Sequence, residues 1–199
     1  MELVGCLGNS AHVLIRWSDE KVPWSIDRFV DCLKPFAKQD KISELMEGCG
    51  KITASSSPLQ KAEFAKCLMD NFERQFPENV RMKVLENCGR RCIGASTIEK
   101  AKGIKRNARN LAELIDGLNK QHIGGGRLRL ENNQILVEYG KCYCGMVSKA
   151  KERFSSTYCN CSRGYLLELF ERILEKPVTV DLVESVIQGA KSCKFTIHV

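Results

Sequence analysis

The sequence predicts an α+β protein: a helical N-terminal half, then a C-terminal ββ-α-ββ unit that folds into an antiparallel sheet. Three observations carry that prediction. Apolar residues recur at helical spacing through most of residues 24–120. The stretch RLRLENNQILVEYG alternates apolar and polar residues around Glu131-Asn132-Asn133, the pattern of a hairpin. GYLLELFERILEK, residues 164–176, is a strong amphipathic helix, and VTVDLVESVI and CKFTIHV read as strands on either side of Gly189-Ala190-Lys191.

Taken in order, residues 1–20 suggest a short strand pair. Trp24 to about Met46 reads as helical, with a break near Pro35. Ser57-Pro58 opens the next helix, Ser as N-cap and Pro in the first turn. It runs through Leu59, Ala62, Phe64, Cys67, Leu68 and Phe72, and Pro77 stops it. Glu78 to Asn87 forms a further short helix, which Gly89 is expected to end. Ser96-Thr97 precede one long helix that ends at the glycines 124–126. On it Lys102, Lys105, Arg106 and Arg109 fall on one side; Ile104, Ala108, Leu111, Ile115 and Leu118 fall on the other. Residues 1–124 thus form a mostly helical region and 125–199 a Cys-rich α+β region, within one compact unit.

With 43% apolar residues, the 199-residue chain can bury a core. It holds no run of 18 apolar residues, so no membrane partner is expected. The N-terminus has no basic leader, and Gly8, Asn9, Ser10 and His12 interrupt any apolar stretch, so no signal peptide is expected and the location reads as cytoplasmic. In a reducing compartment 11 cysteines, an odd number, point to core residues, metal ligands or reactive thiols rather than disulfides. The net charge of +7 lies partly on the basic helix face, which reads as solvated. No helix-turn-helix, zinc-finger or aromatic stacking motif supports nucleic acid as a partner.

Four of the cysteines form two Cys-x-Cys pairs: Cys142 and Cys144, then Cys159 and Cys161. In extended chain, residues i and i+2 point to one side, so each pair can aim both sulfurs at one point. Two such pairs supply the four thiolates of a tetrahedral zinc or an iron–sulfur cluster. The second pair lies just before a helix, whose N-terminus favours thiolate. Cys193, at the start of the last strand, completes the candidate metal set. The competing reading is buried apolar cysteine, which is also the reading for the isolated Cys6, Cys32, Cys49 and Cys67. Cys67 in particular is expected to be buried and inert. In CGRRC, Cys88 and Cys92 read equally as further metal ligands or reactive thiols, with Arg90 and Arg91 lowering the pKa of a neighbouring thiol, or as two half-buried cysteines at a helix end. All four tyrosines, Tyr139, Tyr143, Tyr158 and Tyr165, flank the Cys pairs, as the wall of a ligand pocket would, though ordinary strand and helix packing explains each one singly. His12, His122 and His198 show no ligand spacing and read as structural or exposed.

The stretch CSRGYLLELFERILEKPVTVDLVESVIQGAKSCKFTIHV resembles the vinyl reductase domain family of small-molecule-binding modules. It is also similar to the aminothiazoline-carboxylate hydrolase family, which ends in a comparable Gly-x-x-x-Cys-x-Phe-x-Ile stretch. Cys161, Gly164-Tyr165, Glu184, Gly189, Cys193, Phe195 and Ile197 carry the likeness, which spans about residues 125–199. It implies an α+β fold with a pocket between sheet and helices, and a zinc site to which Cys161, Glu184 and Cys193 correspond. A further family cysteine is Ile187 here, leaving Cys159 or the Cys142/Cys144 pair to replace it. Three functions follow as expectations. The first is a small-molecule-binding metalloprotein with zinc or an iron–sulfur cluster. The second is a hydrolase of a small cyclic amidine or amide, with Glu184 as base or ligand. The third is a nucleic-acid or protein adaptor using the basic helix.

Overall fold

The computed structural model describes residues 24–199, with the backbone alone for Trp24. The strand pair expected over residues 1–20, together with Cys6 and His12, lies outside the described residues. The rest is α+β. Seven helices among the described residues are α1 (Trp24–Leu33), α2 (Gln39–Met46), α3 (Pro58–Gln75), α4 (Glu78–Arg90), α5 (Ala95–Asn107), α6 (Leu111–Lys120) and α7 (Asn160–Leu174). The strands are β1 (Leu128–Glu131), β2 (Gln134–Tyr139), β3 (Thr179–Glu184) and β4 (Cys193–His198). They form one antiparallel sheet in the order β1-β2-β4-β3.

Local chemistry accounts for most boundaries. Ser57 accepts a hydrogen bond from the Gln60 amide while the Gln60 side chain accepts from the Ser57 amide, a reciprocal capping box. Asn132 and Asn133 take φ of +47° and +61° between the paired residues Glu131 and Gln134. Two left-handed residues make the tight turn whose twist suits a two-residue hairpin, and asparagine tolerates that conformation.

The long basic helix divides in two. Asn110 is extended and its side chain accepts from the Glu113 amide, which opens α6 as a new helix. The apolar spacing runs across the break because α5 and α6 both turn their apolar sides to the same core. Lys105, Arg106 and Arg109 are exposed, with Arg109 ion-paired to Glu113 and the half-buried Lys102 to Glu99. Replacing Asn110 with alanine removes the cap and is expected to cost about 1 kcal/mol in urea denaturation.

Gly89 does not end α4, which continues to Arg90. Its role is close approach. A Cβ on Gly89 would stand 1.9 Å from the Cys161 carbonyl oxygen, and one on Gly164 would stand 2.0 Å from that of Glu86. Glycine on both sides therefore lets the α4 and α7 backbones touch. Arg90 binds Glu171 at 2.6 Å and Arg163 reaches Glu86 at 3.4 Å, bracketing the crossing with opposite charges.

Two apolar clusters result. One joins α1 to α4 and the segment after β2, with Phe72 fully buried at the edge of the Phe29 ring, 5.2 Å between centroids. The other joins α5, α6 and α7 to one face of the sheet through Ile135, Val137, Phe195, Ile197 and Phe170. Helices α5 and α6, which precede residue 125, thus share their core with the sheet. Among the described residues no helix is long and apolar enough to cross a membrane.

Candidate functional site

A cavity of about 910 Å³ opens between α1, α3, α4, the first turn of α7 and the segment that follows β2. Each wall has a local cause. Helix α1 presents Ile26 and Phe29, and α3 presents Leu68 and Met69, from their apolar faces. The close α4–α7 crossing brings Leu85 and Cys88 beside Cys161, Ser162 and Tyr165. At the end of β2, Tyr139 lies over Gly125, whose φ is +93°; a Cβ there would come within 2.2 Å of the ring. The Tyr143 ring meets Tyr139 edge-on at 5.5 Å and is 60% exposed, so it stands at the mouth with the exposed His122 and Cys92.

All four tyrosines line this cavity. The Tyr158 hydroxyl and the Cys144 thiol are 3.0 Å apart, and burial holds the Tyr158 phenol well above its ordinary pKa. Burial also raises Tyr139 and Tyr165. These hydroxyls stay neutral at physiological pH and act as hydrogen-bonding groups. The formal charges on the wall are cationic: Arg28, 7% exposed, and Lys61. No Asp or Glu is among the described lining residues.

The paired cysteines diverge. Cys159 ends a 3₁₀ turn and Cys161 sits in the first turn of α7, where i and i+2 do not share a face. Cys159 therefore turns to Ser185, 2.9 Å from its hydroxyl, while Cys161 turns into the cavity. The first pair lies outside any regular strand, and Cys144 enters the cavity whereas Cys142 does not. Cys193 accepts a hydrogen bond from the Val186 amide at 3.3 Å. Among the described residues these thiols do not make one metal-holding group, and at the second pair the start of α7 between Cys159 and Cys161 is the reason.

Nor does the set implied by the family resemblance converge. Glu184 pairs across the strands with Lys194 at 3.1 Å, and 41% of its side chain is exposed. Among the described residues no group of three or more His, Cys, Asp or Glu is arranged to hold a metal ion. The donors present therefore do not fit a shared zinc or iron–sulfur cluster, and no chemistry is derived through one. The expected thiol activation at the start of α7 is also reversed: burial pushes Cys159 up to about 12 and raises Cys161 as well, outweighing the helix terminus. Burial pushes Cys142 up to about 11.

Of the isolated cysteines, Cys32 is free and buried as expected, whereas Cys49 and Cys67 depart from expectation. Cys49 and Cys67 are joined in a disulfide, and both are only half-buried. Cys88 is buried on α4 and Cys92 exposed beyond its end. Arg90 is drawn to Glu171, and Arg91 reaches Cys32 of α1 rather than a thiol of its own motif. Cys32 is held below the ordinary thiol range, first by its hydrogen bond with Cys88 and then by Arg91. Of the histidines, His198 bonds Asp181 at 2.8 Å and Gln134 at 3.0 Å on the sheet. Arg28, Phe29, Met69 and Met146 carry much of the cavity wall, and no local pattern in the sequence marks them. One consequence is a ranking of thiol reactivity. At pH 8 a thiol with a pKa near 12 is about one part in ten thousand thiolate, so iodoacetamide is expected to modify exposed Cys92 quickly and leave Cys159 intact in peptide mapping.

Comparisons with known proteins add a family. The model of a family of unknown function, DUF6144, matches residues 27–199. No curated protein matches the chain. Among solved structures, an H-NOX protein from S. oneidensis in the Fe(II)NO ligation state superposes with a TM-score of 0.46 at 14% identity, over 87% of this chain and 97% of that one. The H-NOX domain from Shewanella oneidensis in the Fe(II)CO ligation state gives 0.46 at 16% identity, over 88% and 97%. The phenol-responsive sensory domain of the transcription activator PoxR, with phenol, gives 0.42 at 13% identity, over 81% and 90%.

Proposed function

We propose that this chain, which belongs to the DUF6144 family of unknown function, is a small-molecule-binding domain whose ligand occupies the cavity between α1, α3, α4 and α7. The observation that carries this reading is the cavity itself. Its 910 Å³ lies within the range of ligand sites, and a mainly apolar wall with a few polar groups is the composition such sites have. A void of that size would be costly to keep without use, since cavity lining forfeits its packing contacts.

The wall chemistry indicates the ligand class. Phe29, Leu68, Met69, Leu85 and Met146 offer an apolar body a close fit, and methionine adapts to irregular shapes. Tyrosine edges favour an aromatic ring. With cations on the wall and no carboxylate among the described lining residues, a cationic ligand is disfavoured and a neutral or acidic one favoured. The ligand class is therefore apolar molecules of one or two rings carrying a hydroxyl or carboxylate. The likeness of the C-terminal third to the vinyl reductase domain family belongs to the same proposal, and the ββ-α-ββ order of that third supports it.

The test is thermal denaturation against a panel of one- and two-ring aromatic carboxylic acids and phenols. Binders should raise Tm with concentration, because they bind the folded state alone. Met69→Trp fills the cavity and should weaken binding at least tenfold with little change in the Tm of the free protein. Equal affinity in that variant would place the ligand elsewhere and overturn the reading.

A further inference from the structure

Across the α1–α4 interface, at the edge of the cavity, two thiols and two guanidinium groups interlock. Arg28 and Cys32 are four residues apart on α1, and Cys88 and Arg91 are three apart at the end of α4, so each pair shares one face of its helix. The pairs meet crosswise. Arg91 Nη1 lies 3.7 Å from the Cys32 sulfur, and Arg28 Nη1 donates to the Cys88 carbonyl oxygen at 3.3 Å. The Cys88 sulfur lies 3.9 Å from the Arg28 carbonyl oxygen. That oxygen occupies the position that accepts the amide hydrogen of Cys32 within an α-helix, so the Cys88 sulfur sits against the turn carrying Cys32. Both cysteines are 5% exposed and belong to the same apolar cluster.

We propose that Cys32 and Cys88 are a dithiol site that a hydroperoxide oxidises to a disulfide joining α1 to α4. Arg91, which Asp31 also holds at 3.5 Å, brings a guanidinium against the Cys32 sulfur and stabilises a thiolate there, the form that reacts. Cys88 and Arg28 lie on the cavity wall and Cys32 does not, so a peroxide little larger than water approaches Cys32 from the cavity past the Cys88 sulfur. In the first step the Cys32 thiolate attacks one peroxide oxygen. The S–O bond forms, the O–O bond breaks, and the leaving oxygen takes a proton to become water or an alcohol. In the second step the Cys88 sulfur attacks the resulting sulfenic acid. The S–S bond forms, the S–O bond breaks, and hydroxide leaves with the Cys88 proton as water. The two thiols together give two electrons to one peroxide. A dithiol reductant reverses the change. None of this requires a ligand in the cavity.

The experiment treats the full chain with one equivalent of hydrogen peroxide, blocks free thiols with iodoacetamide, digests without reduction and maps the peptides by mass. A linked peptide pair containing Cys32 and Cys88 is expected, lighter by two hydrogens than the sum of its parts and lost on treatment with dithiothreitol. Arg91, with 54% of its side chain exposed, can be changed without disturbing the core. Arg91→Ala should slow formation of the link about tenfold, and Arg91→Lys should restore part of the rate. With Cys88→Ser, dimedone should trap a sulfenic acid on Cys32. The wild-type map decides alone if that variant does not fold. Recovery of Cys32 and Cys88 both alkylated after peroxide has oxidised Cys92 would overturn the proposal, as would an unchanged rate in Arg91→Ala.

Discussion

Gly164→Val is expected to abolish the folded state, or to leave it so weakened that urea unfolds it at trace concentrations. At this position even a methyl group would stand 2.0 Å from the Glu86 carbonyl oxygen and 2.8 Å from its carbon. The obstacle is backbone, not the free end of a side chain, so it cannot swing aside. To admit valine, α7 must lift from α4, and the lift would break the bracket of Arg90 with Glu171 and of Arg163 with Glu86. It would also move Leu166, Leu169 and Phe170, which are fully buried on the same helix. Overpacking of side chains alone costs about 1–3 kcal/mol, and a backbone clash exceeds it. Against a total stability of about 5–15 kcal/mol, a loss above 3 kcal/mol removes much of the margin. Gly164→Ala should show the same effect in reduced form. A loss under about 1 kcal/mol for valine would mean that the two helices do not touch at Glu86 and Cys161.

Phe72→Ala should cost about 3–5 kcal/mol, the usual range for emptying a buried aromatic site. Phe72 has no exposed surface, and its ring contacts Phe29 edge-on at 5.2 Å and Phe76 at 5.1 Å. It is the residue behind Phe29, and Phe29 faces the cavity. The substitution therefore acts twice. It lowers the midpoint of urea denaturation, and in the folded fraction it lets Phe29 relax backward and widen the site. Both effects are measurable, the first by denaturation and the second as weaker binding of whichever aromatic acid stabilises the wild type.

Much of the fold was legible because its boundaries are written in single residues. Ser57-Pro58 caps and opens α3, Pro77 ends its run, and Asn132-Asn133 supplies the two left-handed residues of the hairpin. What was not legible depended on partners distant in sequence. The apolar period continues through Asn110 because the helices on both sides serve one core, so the break left no gap in the pattern. Gly89 resembles a terminator locally, yet its task is set by Cys161, a residue on another helix. The same division holds at the site. The grouping of all four tyrosines beside the Cys pairs is visible in composition, and those four residues line the cavity. An i, i+2 pair converges only in extended chain, and α7 starts at Asn160, between Cys159 and Cys161, which spacing alone does not show. The far wall, from Arg28 to Met69, exists only once α1 and α3 have packed.

Methyl NMR of the methionines tests the central claim most directly. Met69 and Met146 line the cavity, whereas Met46 and Met82 do not. When a one- or two-ring aromatic acid that raises Tm is added, the Met69 and Met146 methyl signals should shift in saturable, matching titrations, because an aromatic ring lies over both. Met46 and Met82 should stay in place. Saturable binding that moves Met46 or Met82 and leaves Met69 and Met146 unmoved would contradict the assignment of the cavity as the ligand site.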